Sequence, residues 1–388
     1  MASIQRRGST FRARWYVGTK DGKKVYDSKG GFITRSAAVA HAAEQEELIA
    51  RGIDTQTAKQ AWGAWRDEWQ ASRIIETSTA NSQRPVLAKW ISPHWEHVPL
   101  DQITRQEVLK WVAKLAKTAP SGQTVAKAFW IFSGSLTAAV DASILPANPA
   151  HGVKLPTLAQ GGERAYTDEE CEAILAALPA PSRERIAVMI MLEAGLRPGE
   201  VAGLHRPRVN LDRRVIEVVE AWEDEGRYLK AYPKGRKKRH VPISDRLADE
   251  LKLWFEADPQ PAATCGLAHR EGRCRGPLVV TGAQGGALNL SNMRNRQWAQ
   301  ALKAAGLEYG KIYWLRHTFA TRQAIAGTSM QALAAVLGHS TIVVTARYSH
   351  LGNAHHEQVL AAMNVNRTDV RMTKGMTTGH LALVPDLS

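Results

Sequence analysis

Three prolines and a pair of glycines decide how this chain can be partitioned. Pro146 and Pro149 come shortly before LPTLAQGGE, residues 155–163, which itself holds Pro156 and the Gly-Gly pair. Proline interrupts a helix and paired glycines favour neither helix nor strand, so the stretch reads as an interdomain linker. With 388 residues the chain has room for two or three domains rather than one. The hydrophobic patterns on the two sides of the linker differ, and each side constrains a different kind of fold.

Ahead of the linker, two patterns succeed one another. FRARWYV alternates, with Phe11, Ala13, Trp15 and Val17 on one face and Arg12, Arg14 and Tyr16 on the other. That period predicts a strand. Asp21-Gly22 is a hairpin signal and KKVYDS its partner strand. Thr34 then caps an Ala-rich helix to about Arg51, closed by Gly52. The first thirty residues hold eight basic and two acidic side chains, and the basic ones fall on the strands. A sheet so decorated is suited to a DNA groove, the alternative being a solvated face on an accessory domain. Residues 57–150 read as helical, with runs near 79–90, 104–117 and 121–142. Trp62, Trp65 and Trp69 share one helical face and are expected in the core rather than stacked on bases.

After the linker, helices mix with a few strands. Asp168, Glu169 and Glu170 follow Thr167 at a helix start. SRERIAVMIMLEAGL reads as a buried helix ending near Gly195, and Pro198 suits the first turn of the next. VIEVVEAW and KKRHVPI read as strands, with KAYPKGRKK at or near a connecting turn. Further helices are expected at about 290–305, 314–326, 329–337 and 341–350. The fold class is therefore multidomain α+β: a small sheet-plus-helix domain (1–54), an all-α domain (57–150) and a mainly α domain with a small antiparallel sheet (163–363). A tail, residues 364–388, ends the chain with weak periodicity.

Composition narrows the partners. Lys plus Arg exceed Asp plus Glu, 51 against 37, a net charge of +14. Such an excess concentrates polyanions near the surface. No apolar run approaches the ~18 residues of a membrane span, and MASIQRRGSTFRARW lacks the apolar core of a secretory signal. Three cysteines, Cys171, Cys265 and Cys274, make no disulfide framework, which fits a reducing cytoplasm. A cytoplasmic protein in a bacterial host, nucleoid-associated when bound and with no membrane partner, is the expectation.

The third segment also carries candidates for phosphodiester chemistry, in which negative charge builds on non-bridging oxygens and must meet fixed cations. Arg197 follows a helix-ending Gly-Leu, where a turn can present its guanidinium as a two-pronged anion ligand. Arg316 lies one helical turn after Tyr313. His339 follows the Gly338 helix stop, and Tyr348 offers a phenolic nucleophile. Singly each residue has a bland reading, as surface arginine, structural histidine or core tyrosine.

Their order gives more. GLRPGEVAGL, PKGRKKRHVPI, LRHTFATR, LGHS and RYSHL occur in sequence, and together they resemble the tyrosine recombinase (phage integrase) family. LDQITRQEV and PANPAHGVKLP resemble that family's core-type DNA-binding domain, and the first segment its arm-type domain. The resemblance implies that Arg197 and Arg316 bind the scissile phosphate and that His339 hydrogen-bonds it. Lys234 would protonate the departing 5′ oxygen, with Lys230, Lys237 and Lys238 near enough to leave that assignment open. Tyr348 would form a 3′-phosphotyrosyl link, and Glu200 would support the arginine turn. The family commonly has histidine where this chain has Tyr313; a phenol can donate to phosphate but is a poor base at neutral pH. His317 lies about 100° round the helix from Arg316 and is not expected to substitute.

The implied partners are double-stranded DNA with core and arm attachment sites, a homotetramer on that DNA, and DNA-bending or directionality proteins. The helix after Tyr348 is a candidate for docking on a neighbouring protomer. No cofactor and no metal is expected. There is no Walker-type loop, and Cys265, His269 and Cys274 offer three ligands where structural zinc takes four. A type IB-like topoisomerase and a DNA-binding regulator with a decayed site are the competing readings.

Overall fold

The computed structural model describes residues 2–156, 164–233, 235, 237–257, 263–339, 341, 345–346 and 348. Two compact units emerge, Met1–Gly161 and Gly162–Ser388, dividing within the expected linker.

The first unit opens with an antiparallel sheet of β1 (Ser3–Arg7), β2 (Thr10–Lys20) and β3 (Lys23–Phe32), β2 in the centre. Asp21 and Gly22 both take positive φ, as a tight hairpin of right-twisted strands requires. Ala13 and Trp15 are buried against Ala38 and Ala42 of α1 (Arg35–Ala50). Thr34 caps that helix, accepting from the Ala37 N–H at 3.1 Å. Strand β1 is an addition to what the sequence pattern predicts. SIQRR has one apolar residue and no alternation, so its pairing with β2, Ile4 opposite Ala13, holds it by ladder bonds rather than burial.

An all-helical bundle follows: α2 (Trp62–Ser72), α3 (Thr77–Val86), α4 (Ser92–Trp95), α5 (Arg105–Thr118) and α6 (Gly122–Asp141). A π-turn, Leu87–Ile91, joins α3 to α4 just after Pro85, which has no N–H for the regular ladder. Trp62, Trp65 and Trp69 are buried as expected. The indole N–H of Trp62 donates to Ser135 Oγ and that of Trp65 to the Ser135 carbonyl, so neither buried polar group is stranded. Thr104 and Ser121 cap α5 and α6, each cap contributing about 1 kcal/mol.

In the second unit, α7 (Asp168–Ala176) starts at a reciprocal cap between Thr167 and Glu170. Next, α8 (Arg183–Glu193) is buried at every residue from Ile186 to Leu192 and forms the centre of the core. Gly195, left-handed at φ +64°, turns the chain into α9 (Pro198–Ala202). The space a β-carbon would need there is taken by the Phe319 ring, 2.5 Å away.

Two small sheets follow, not one. β4 (Val209–Asn210), β5 (Val215–Val218) and β8 (Arg239–Pro242) form an antiparallel sheet. β6 (Ala221–Glu223), β7 (Tyr228–Lys230) and β9 (Ala268–Arg270) form a mixed one, with β7 and β9 parallel. VIEVVEAW is thus no single strand. It breaks after Val218 and its halves join different sheets.

Helices complete the unit: α10 (Asp245–Ala257), α11 (Leu290–Asn292), α12 (Trp298–Ala304), α13 (Trp314–Ile325) and α14 (Met330–Leu337). A π-turn, Met293–Gln297, joins α11 to α12. The expected helix at 341–350, that following Tyr348 and the 364–388 tail lie wholly or mostly outside the described residues. Among those described, no helix is long and apolar enough to cross a membrane.

Candidate active site

The site is built from the ends of helices. Arg197 is the residue before α9, and Glu200 in the first turn reaches back to it. The Glu200 carboxylate accepts the Arg197 backbone N–H at 2.8 Å and its guanidinium at 2.9 Å. Glu200 is buried, and a lone carboxylate there would cost several kcal/mol. Arg239 answers that cost with two parallel bonds of 2.9 and 2.7 Å. Burial pushes the Glu200 carboxyl upward, but the Arg239 bonds and the charges of Arg239 and Arg197 hold it below the ordinary range.

Arg239 also donates from Nε to the Val336 carbonyl at 2.6 Å, so β8, α9 and α14 share one charged knot. Within KGRKKRH the residue looks like one more surface cation, and the motif pattern does not single it out. A signal was available, since the β8 burial pattern alternates, with Arg239 and Val241 inward and His240 and Pro242 outward. Strand period would have placed Arg239 in the core beside Val241.

Arg316 is buried on α13. It donates to the Gly195 carbonyl at 2.5 Å and the Leu337 carbonyl at 2.6 Å, and lies 3.2 Å from His339 Nε2. Arg197 reaches the next carbonyl, Gly338, at 3.4 Å. The two arginines therefore converge on consecutive peptide units at the end of α14. Gly338 is left-handed at φ +66°, and a β-carbon there would lie 3.1 Å from the Arg239 guanidinium. Burial, then the Arg197 charge, lowers the Arg316 guanidinium to about 10, which leaves it cationic at neutral pH.

His339 follows that glycine. Its Nδ1 lies 2.8 Å from Thr345 Oγ1. Burial and the positive charges of Arg316, Arg197 and Arg239 lower it from 6.5 to about 4. The ring is neutral near pH 7, accepting from Arg316 and donating toward Thr345.

Tyr348 is buried with Phe319, Ala320, Ala324, Leu333 and Leu337. Its hydroxyl lies 2.5 Å from His317 Nδ1. The sequence pattern does not single out this contact, which is separate from whether His317 stands in for the histidine that Tyr313 replaces. The 100° offset describes its relation to Arg316, while Tyr348 approaches α13 from another direction. Tyr313 is half-exposed at the start of α13, its ring edge-on to His317 at 5.0 Å. Tyr313, His317 and Tyr348 thus form a run of three rings beside the start of α13, the helix that carries Arg316. Lys234 and Arg347 lie outside the described residues. Of the lysines near Lys234, Lys230 is ion-paired with Glu223 in the β6–β7 hairpin, whereas Lys237 and Lys238 are exposed.

Two cations, a neutral imidazole and a phenol in hydrogen-bond contact with a second imidazole suit a tetrahedral oxyanion attacked by an oxygen nucleophile.

Comparison with known proteins points the same way. Residues 164–355 match the phage integrase family, and residues 3–48 an arm DNA-binding domain. Tyrosine recombinase XerC 1 of Ralstonia nicotianae is 26% identical over 306 residues, spanning 76% of this chain and 89% of that protein. A XerC-like tyrosine recombinase of Caldanaerobacter subterraneus is 26% identical over 263 residues, 63% of this chain and 66% of that one. Among solved structures, the Tn1549 transposon integrase with transposon right end DNA superposes with a TM-score of 0.67 at 15% identity. It covers 80% of this chain and 100% of that one. A lambda integrase dimer bound to a COC′ core site gives 0.58 at 17% identity, covering 89% and 94%. Likeness at that identity speaks for a shared fold.

Proposed function

The chain belongs to the phage integrase family of tyrosine recombinases, and from that premise we propose how its own residues cut and rejoin DNA strands. The observation that carries the proposal is the convergence of Arg197 and Arg316 on the Leu337 and Gly338 carbonyls beside His339. The arginines grip the non-bridging oxygens of one phosphate, each guanidinium offering paired donors. His339 adds a hydrogen bond once the phosphate charge offsets its cationic neighbours. The Tyr348 oxygen attacks phosphorus and the bond to the 5′ oxygen breaks, leaving a 3′-phosphotyrosyl link. Lys234 gives the departing 5′ oxygen its proton, and His317 Nδ1, in contact with the Tyr348 hydroxyl, takes the phenolic proton as the tyrosine attacks. Attack by another strand's 5′-hydroxyl reverses the chemistry, so the bond energy is conserved and no nucleotide cofactor is consumed.

The domain roles extend the proposal. Residues 1–54 bind arm-type sites through the outer face of the first sheet, where Arg12 and Arg14 stand exposed and Arg14 lies over the Tyr26 ring. Residues 57–150 bind core sites, and 163–363 carry the chemistry. Four protomers work on two DNA sites, with DNA-bending or directionality proteins assisting, to integrate and excise a phage or other mobile element in the bacterial nucleoid.

A duplex nicked near the scissile position, so that the cleaved strand diffuses away, tests the chemistry. A covalent protein–DNA adduct is expected from the unmodified chain and none from Tyr348→Phe. No adduct from the unmodified chain would favour a binding protein with a decayed site, for which Tyr313 in place of histidine is the motivating departure.

A further inference from the structure

A second group of polar side chains shares no residue with the arginine pocket. CGLAHREGRC offers three ligand-type residues, and folding brings in a fourth from far upstream. The ligand atoms of His205, Cys265, His269 and Cys274 all lie within 4.8 Å of one another. Cys265 Sγ is 3.1 Å from His269 Nε2 and 3.5 Å from Cys274 Sγ. Ligands of tetrahedral zinc, at about 2.3 Å for sulfur and 2.0–2.1 Å for nitrogen, stand roughly 3.3–3.8 Å apart. A disulfide needs sulfurs about 2.05 Å apart, and both cysteines are free thiols.

His205 is the decisive member. It is completely buried, yet neither ring nitrogen has a properly directed hydrogen bond. Its Nδ1 is 2.6 Å from Glu220 Oε2 but off the line a good bond requires. A buried imidazole left in that condition calls for a missing partner. Coordination through Nε2, with Nδ1–H toward Glu220, is the carboxylate–histidine arrangement by which proteins orient metal ligands.

We propose that His205, Cys265, His269 and Cys274 form a structural zinc site of the Cys2His2 class. Two sulfurs and two nitrogens in a tetrahedral spacing favour zinc over harder ions. Four protein ligands leave no open position, so the metal would be structural rather than catalytic. The Cys265 N–H already donates to Cys274 Sγ at 3.2 Å, a contact that favours the thiolate. Leu229, Leu278, Trp222 and Leu267 pack around Cys265 and keep water from that side.

The site would reinforce pieces of chain that are already joined by backbone pairing and an apolar cluster. His205 sits beyond α9, bridged to Leu278, and His269 lies on β9 opposite Leu229 of β7. β7 ends at Lys230, shortly before Lys234, so the site braces the base from which the lysine segment departs. That last consequence rests on the recombinase reading; the metal does not.

The test uses the full chain, purified without added metal and washed with a mild chelator. Elemental analysis should find about one zinc ion per chain, and Cys274→Ser and His269→Gln should hold less than about a tenth of that. Cobalt exchanged into the unmodified chain should give the intense visible bands of a tetrahedral ion and a thiolate charge-transfer band. Zinc content below about a tenth per chain with no such cobalt spectrum would overturn the proposal. So would full metal content in Cys274→Ser, or a Cys265–Cys274 disulfide in unreduced peptides. Because cobalt is titrated into the unmodified chain, its spectrum discriminates even where a variant fails to fold. Adduct formation on nicked DNA is scored separately, so the two proposals can fail independently.

Discussion

The arginine pocket and the Cys/His group differ in how completely each satisfies itself. In the pocket, Glu200 answers Arg239 and Arg197, and Arg316 is held by two carbonyls and His339. Nothing need be added for that arrangement to persist. Around His205 a buried ring lacks well-directed partners and two thiols stand at ligand spacing. The contrast separates two kinds of binding site. A pocket for a transient substrate must be stable empty, whereas a site for a permanent component can be left incomplete by the protein.

The contrast can be broken most directly at Glu200. Glu200→Gln would leave the Arg239 guanidinium buried without a counter-charge, a loss of about 3–5 kcal/mol in urea unfolding. A cost under about 1 kcal/mol would mean the pocket does not depend on that balance. Next in size is Arg316→Lys, which keeps a charge but loses the planar fork. Single-turnover cleavage should fall about 10²–10³-fold, and unchanged cleavage would place the phosphate elsewhere.

A pH-dependent effect lies at His339, and its sign follows from the lowered titration. The native ring takes a proton only near pH 4, whereas the unfolded one does so near 6.5. Its contribution to stability is full above 6.5 and drains away as pH falls toward 4. Imidazole NMR of the free chain should show a midpoint near 4, moving upward when a duplex binds. A free-chain midpoint at 6.5 or above would show that the arginines do not press on this ring.

Much of this was legible in local sequence because local rules govern it. The Asp21-Gly22 hairpin, the Thr34 cap, the tryptophan stripe and the Gly-Leu-Arg turn each depend on neighbours a few residues away. What escaped depends on distant partners. β1 exists because β2 offers it an edge, and VIEVVEAW is divided because β8 and β7 compete for its two halves. His205 carries no ligand signature until Cys265 and Cys274 fold against it. The His317–Tyr348 contact is invisible to a helical wheel, which records directions along one helix and says nothing of what another segment brings. The proposed roles of Arg197, Arg316 and His339 were readable as ordered phrases. The knot that supports them, through Arg239, was concealed by a run of surface charge.

Arg316 has one further implication. Its guanidinium ties Gly195, Leu337 and His339 together, so the proposed phosphate ligand is also a tie-rod of the fold. A small-molecule guanidine supplied to an Arg316→Ala protein could restore charge but not the span between those backbones. Chemical rescue at this position should therefore fail where it succeeds for residues that only donate charge, and any redesign of the pocket has to begin from the frame.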